Sequence, residues 1–183
     1  FGVNSRILPM SDDPVQTIIE SDIGHLSFQE YFVKHQSEPC IRNISFNGST
    51  EASISPELKT VIKDNGFKAI IVCPSNPYLS IDPILSIKEI KSFIESASIP
   101  VIAVSPIVDG KALRGPAAKI MHEMDIPVSV KSIAEHYHPL IDGLVIDHKD
   151  KIISSEIQSM GIEVQVTNTV MNHDSDKIQL AQD

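Results

Sequence analysis

Short apolar runs separated by polar, helix-like stretches recur along this chain. Residues 40–46 alternate, setting Ile41, Ile44 and Phe46 against polar neighbours, the period-two pattern of an exposed or edge strand. Ser55-Pro56-Glu57-Leu58 then opens a helix: Ser is a favoured cap, Pro fits the first helical position, and Glu57 meets the positive end of the dipole. That helix is expected to close near Asn65-Gly66, where Gly can take the left-handed conformation of a cap. Lys68–Cys73 is a nearly continuous apolar run, expected of a strand buried on both faces. A loop rich in Pro and Ser over 74–83 leads to a helix over 87–97 and a strand over 100–105. Helices are predicted over 116–125 and 131–138, a strand over Gly143–Asp147, a helix over 151–160 and a last strand over 163–166.

Alternation of this kind demands parallel strands joined by right-handed crossovers. The predicted fold is therefore α/β, a Rossmann-like three-layer sandwich with a mostly parallel sheet, read as a single domain over 1–183. The region before residue 40 reads as a peripheral, turn-rich element, with a strand over 15–20 and a helix over 26–35.

Composition narrows the partners more than the fold. With 42% hydrophobic and 21% charged residues among 183, the chain is too apolar for disorder and long enough to bury a core. Trp is absent and aromatics are 5%, so the core must be built from Ile, Val, Leu and Ala. A net charge of −9 argues against nucleic acid or an anionic membrane, which need a basic footprint. It leaves room for a small phosphorylated ligand held by a local cluster of donors. Cys40 and Cys73 have no metal-like or disulfide-framework spacing, so both are expected reduced and buried, in a cytoplasmic setting. No apolar run approaches the roughly 18 residues of a membrane span. Phe1 rather than Met stands first, which reads as a fragment, a shortened gene product or a processed chain.

Open α/β sheets bind ligands beyond the carboxyl ends of their strands. That rule selects Pro74–Pro77, Ser105–Gly110, Asp147-His148 and Thr167–Thr169. In the first, two prolines bracket Ser75 and Asn76, presenting a hydroxyl and an amide directly after a strand; a rigid turn with self-satisfied side chains is the plainer reading. The second leads into Lys111, Arg114 and Lys119, the notable basic cluster of an acidic chain, around Gly115 at an expected helix start that suits a phosphate. A solvated helix start is the competing reading. Gly110 and Gly115 have the spacing of a P-loop, but Pro116 stands where its Lys must be. Asp12 and Asp13 offer paired carboxylates for Mg²⁺, or simply turn chemistry before Pro14. His136 and His138 lack a third ligand nearby and read as a surface feature. No Ser-His-Asp or Cys-His constellation can be assembled, so no catalytic residue is assigned.

Taken together, these segments resemble a known family. Ile7-Leu-Pro-Met-Ser-Asp-Asp-Pro-Val-Gln-Thr17, Phe28-Gln-Glu-Tyr-Phe-Val33, Pro74–Leu85 and Val104–Lys119 are similar to the signature blocks of the 2-phospho-L-lactate transferases, and Asp147-His-Lys-Asp150 and Thr167–Met171 to its last two. The resemblance covers essentially the whole chain and implies a Rossmann-like sheet. It also implies transfer of a 2-phospholactyl or phosphoenolpyruvyl group in coenzyme F420 biosynthesis. The donor would be a guanosine diphosphate ester and the acceptor a deazaflavin (7,8-didemethyl-8-hydroxy-5-deazariboflavin). GMP would be released, with dependence on Mg²⁺. Two departures stand out: the glycine-rich strand-turn-helix and acidic segment with which the family begins have no counterpart here, and Cys73 replaces a Gly before Pro74. The first leaves the chain by itself expected inactive. Competing readings are a nucleotide-sugar-binding regulator of the same fold and an inactive truncated product. Association as a homodimer stays open.

Overall fold

The computed structural model describes residues 5–64 and 66–183. Its first part is an antiparallel sheet of order β2-β1-β3, made of β1 (Gln16–Ser21), β2 (Gly24–Ser27) and β3 (Ile41–Asn47). The expected helix over 26–35 is present but shorter: β2 runs to Ser27 and 28–34 are helical, including the π-helical turn Glu30–Lys34. The Glu30 carboxylate explains the later start, because it accepts from both the N–H (2.9 Å) and the hydroxyl (2.8 Å) of Ser27 and fixes a turn between them. The predicted edge strand at 40–46 is β3, and it does lie at the edge of this sheet.

The remaining elements form the α/β unit. In order they are α1 (Pro56–Lys63), β4 (Ile70–Val72), a π-helical turn (Pro77–Ile81), α2 (Asp82–Leu85), α3 (Lys88–Glu95) and β5 (Val101–Val104). A small hairpin, β6 (Ile107–Val108) and β7 (Lys111–Ala112), leads to α4 (Ala117–Glu123) and α5 (Val130–Tyr137). Then come β8 (Gly143–Asp147), a 3₁₀ helix (His148–Ile153), α6 (Ser154–Gln158), β9 (Glu163–Thr167) and α7 (Asp174–Gln182). Ser55 caps α1 as expected, its Oγ accepting from Leu58 N at 3.3 Å, with Pro56 in the first position. The helix closes at Asp64; Asn65 lies outside the described residues. The segment read as a loop over 74–83 is half helical, because Asn76 caps Pro77–Ile81 by accepting from Tyr78 N and Leu79 N. The hairpin turn Asp109-Gly110 was not foreseen, although Asp-Gly is a favoured two-residue connection.

The four strands β4, β5, β8 and β9 pair in parallel in that order. One face of this sheet carries Ile70, Val72, Ala103, Leu144 and Ile146 into the main core, where they meet Ile120, Met121, Ile133 and Ile157 from α4, α5 and α6. The antiparallel sheet joins the same core through Ile19, Tyr31 and Ile41. On the opposite face α7 forms the third layer, its Leu180 and Ala181 facing sheet residues. A smaller cluster of Ile54, Ile87 and Ile90 lies under α1 and α3.

Three expectations need correction. Lys68–Cys73 was expected to be buried on both faces, yet Ile71 is 54% exposed, because α7 reaches only the far side of the sheet. Cys40 and Cys73 are free but exposed rather than buried; each flanks a strand instead of lying within it. His136 is no surface feature: its ring bonds Asp82 Oδ1 at 2.8 Å and packs edge-on against Tyr78 and Tyr137. Among the described residues no helix is long and apolar enough to cross a membrane.

Candidate functional site

Three strand-end loops meet beyond the carboxyl edge of the parallel sheet. They bound a cleft of about 310 Å³ whose lining includes Pro74 and Asn76 after β4, Ser105 and Pro106 after β5, and Thr169, Met171 and Asn172 after β9. Leu113, Arg114 and Ala117 close it from the entry to α4, and Lys177 reaches it from α7. Two of the lining residues are cationic and none is acidic. In a protein of net charge −9, such a spot attracts anions. A larger groove of about 550 Å³ lies on the open sheet face, but aliphatic side chains dominate it. We assign ligand chemistry to the smaller cleft, which has convergent polar groups.

Hydrogen bonds, some buried and some exposed, hold the loops in place. Asp147, at the end of β8, accepts from Lys149 N through one oxygen and from Thr169 N (3.1 Å) through the other, so it anchors the loop after β9 rather than facing a ligand. Ser105 is buried and closes its own turn, donating to Ile107 O and accepting from Ile107 N. Asp176 accepts from Asn172 N and His173 N, and these two bonds hold its carboxyl below the usual carboxylate range. Asp150 accepts from Asp109 N; burial first, and then the nearby Asp147 and Asp109, push its carboxyl up.

Asn76 is the most informative member. Its Oδ1 is consumed by Tyr78 N (3.0 Å) and Leu79 N (3.2 Å). Its Nδ2 is buried without a hydrogen-bond partner, on a residue that lines the cleft. An amide donor left unpaired in a protein interior costs about 1–3 kcal/mol, so a ligand acceptor at this point would recover that loss. Gly115 has φ +70°, and a Cβ added there would meet nothing within 4 Å. Its backbone is therefore open to an approaching oxygen.

The chain is similar to known proteins over essentially its whole length. A family model described as 2-phospho-L-lactate transferase CofD matches residues 1–182. The chain belongs to the 2-phospho-L-lactate transferase family. It is 35% identical to a 2-phospho-L-lactate transferase of Methanosarcina mazei, with all of this chain and 59% of that one covered. It is 37% identical to one of Methanocaldococcus jannaschii, with 99% and 57% covered. The chain thus spans less than two thirds of these relatives' length. In solved structures, a Bacillus halodurans protein of the UPF0052 family superposes with TM-scores of 0.64 and 0.62 at 13% and 14% identity, over 98% of this chain in both cases. That likeness shows the fold.

Against this family assignment, the residues singled out in the sequence fall into two groups. Asn76 and Arg114 line one cleft, with Ser75 and Pro77 flanking Asn76 and Gly115 following Arg114. Lys111 does not join them; it pairs with Val108 in the hairpin. Lys119 is also elsewhere, pairing with Glu123 at 2.5 Å and donating to Pro39 O at 2.8 Å. The helix start expected at Gly115-Pro116 is seven residues long from Ala117, too short for a dipole argument, so the positive character of the cleft comes from side chains. Asp12 and Asp13 lie on the turn before β1, where Asp13 Oδ2 accepts from Ser53 N at 2.9 Å. Among the described residues no three His, Cys, Asp or Glu side chains come together to hold a metal. Mg²⁺ is usually held by one or two carboxylates together with substrate phosphates and waters, so Asp12 and Asp13 would hold one only with ligand oxygens beside them. Lys177 was missed because α7 was not foreseen. Asp174 and Asp176 in a first turn ahead of Ile178 and Leu180 are the signal that marks it.

Proposed function

We propose that this chain provides the donor-binding side of a 2-phospho-L-lactate transferase acting in coenzyme F420 biosynthesis, in a cytoplasmic setting. The donor is a guanosine diphosphate ester of 2-phospholactate or phosphoenolpyruvate. The acceptor is a hydroxyl of the deazaflavin, and the released product is GMP. One observation carries the reading: at the carboxyl edge of the sheet a cleft is lined by Arg114 and Lys177, with no acidic residue, and by Asn76, whose buried Nδ2 has no hydrogen-bond partner.

The chemistry follows from what the cleft has and lacks. With no nucleophile–base pair assembled, the acceptor hydroxyl attacks the activated phosphorus directly. The new P–O bond forms as the bond to the GMP oxygen breaks, and the hydroxyl proton is lost to solvent or to a base outside the residues assigned here. Phosphoryl transfer needs chiefly positioning and charge neutralisation. Arg114 and Lys177 supply charge near the leaving phosphate, and Asn76 Nδ2 donates to a phosphate, ribose or base oxygen. Thr169 and Ser105 shape the walls. Lys177 is shared with Asp174, at 2.8 Å, so Arg114 is expected to carry more of the binding.

Calorimetric titration of guanosine diphosphate into enzyme of full family length tests the reading. Asn76→Asp keeps a good helix cap while replacing the buried donor, and Arg114→Ala removes the charge. A charge-assisted hydrogen bond contributes roughly 1.5–3 kcal/mol, so each change should weaken binding about ten- to a hundredfold. Unchanged affinity in both variants, with their circular dichroism intact, would place the donor elsewhere.

A further inference from the structure

The segment after β8 lines nothing of the cleft among the described residues, yet two walls of the cleft are fastened to it. Asp147 ends β8 and caps the 3₁₀ helix that follows, accepting from Lys149 N at 3.1 Å. Its other oxygen accepts from Thr169 N at 3.1 Å, which holds the loop after β9. Three residues further on, Asp150 reaches the β6–β7 hairpin: Asp109 N donates to both of its oxygens, at 3.2 and 3.0 Å.

The hairpin depends on such ties. Its strands are two residues each, with Ile107 opposite Ala112 and Val108 opposite Lys111, and so short a two-stranded ribbon is not stable by itself. The inner arm, β6, is buried, and Ser105 closes its root through both polar backbone groups of Ile107. The outer arm is less firmly held, since Lys111 is exposed and Ala112 only half-buried. Arg114 stands two residues beyond that arm and is exposed as well. Its place therefore follows from the direction the turn Asp109-Gly110 gives the chain. Both turn residues are left-handed, at φ +52° and +68°, the geometry of a tight hairpin connection. Such a turn closes through the residues flanking it, which leaves the Asp109 N–H without a partner across the hairpin. The Asp150 carboxylate is that partner.

We infer that Asp150 is a positioning residue for the donor cleft, acting through the turn Asp109-Gly110 and β7 on Arg114. The inference rests on reading the cleft as the donor site. Asp147 does the same for Thr169, so the short segment 147–150 sets the spacing between the wall that supplies charge and the wall formed after β9. Asp150 itself needs no contact with the ligand.

Calorimetric titration of guanosine diphosphate into the same full-length protein tests this. Asp150→Ala should weaken binding about tenfold, the effect of one lost bond to a charged acceptor. Asp150→Asn keeps an acceptor at the same reach without the charge, which makes the bond roughly half as strong, so its loss should be about threefold. Because Asp150 acts through Arg114, adding Asp150→Ala to Arg114→Ala should weaken binding no further, whereas independent residues would multiply their effects. In the nucleotide-free protein, ¹⁵N relaxation should show the order parameters of Arg114 and Gly115 falling from about 0.85 toward 0.6 in Asp150→Ala, with Thr169 unchanged. Unchanged affinity, multiplied effects, or equal losses in the Asn and Ala variants would overturn the inference. So would a rigid Arg114 in Asp150→Ala, a Thr169 loosened as much as Arg114, or a variant that no longer folds, which would make Asp150 a residue of the fold alone. If the parent protein binds no guanosine diphosphate, the donor reading fails by itself, and the order parameters still decide whether Asp150 positions Arg114.

Discussion

Tyr31, Tyr78 and Tyr137 are all buried, and they are the three tyrosines of a chain without tryptophan. Burial raises each phenol above its ordinary value, Tyr78 to about 12 and Tyr137 further, with Asp82 adding to both; for Tyr31 the Lys119 ammonium opposes the rise. A group that holds its proton more tightly folded than unfolded stabilises the fold fully below its unfolded value and loses that contribution as pH climbs toward the folded one. Stability should therefore fall between pH 10 and about 12. Phenolate absorbance near 295 nm is expected to stay low in the folded chain at pH 10 and to appear in denaturant at the same pH. Titration of all three phenols with the fold intact near the free value would contradict the burial described. At this scale the sequence was a partial guide. Asn76 could be named because prolines on both sides fix its backbone. That its Oδ1 caps a turn while its Nδ2 is left over depends on tertiary placement, which no local pattern encodes.

Elements were legible where one force dominated. The parallel strands announced themselves as Ile- and Val-rich runs, because a strand flanked by crossover helices has little polar surface to show. The cap of α1 was legible because Ser55-Pro56 acts locally. α7 was not, since its apolar Ile178, Leu180 and Ala181 make no continuous stripe and Ile178 remains exposed. Long-range joints were illegible too. Glu123 on α4 accepts from Ile41 N at 3.0 Å and pairs with Lys119, whose ammonium lies 5.9 Å from the Tyr31 ring centre. This cluster ties the antiparallel sheet to the α/β unit and takes Lys119 out of the cleft. Glu123→Ala leaves a strand amide and a half-buried ammonium without their shared acceptor. It should cost about 2 kcal/mol, read as a lower urea midpoint with the loss of exchange protection starting in β1 and β3. A change under about 0.5 kcal/mol would mean the sheet is held by Ile19, Tyr31 and Ile41 alone.

For the whole molecule, the fold class was legible in the sequence. The strand order, the cleft at the carboxyl edge and the family relationship agree with one another. Asp12 and Asp13, which the sequence offered either for Mg²⁺ or as turn chemistry, lie on a turn that Asp13 fastens to Ser53. With part of the family's length beyond this chain, the 183 residues alone are expected to turn over substrate at least about 10²–10³ more slowly than full-length relatives, the usual effect of removing even one preorganised group. Turnover by the isolated chain at the relatives' rate would show that it holds the complete machinery.

The central claim is that one cleft, joining the loops after β4, β5 and β9, receives a phosphorylated nucleotide. At 20.1 kDa the chain suits amide-resolved NMR, which also reports weak binding. Guanosine diphosphate added to the ¹⁵N-labelled chain should shift the Asn76 side-chain amide and the backbone amides of Arg114, Gly115, Thr169 and Lys177, and leave Asp12, Asp13 and Lys111 unmoved. Shifts confined to the Asp12-Asp13 turn or the open sheet face, or none at any of the cleft residues, would contradict the account.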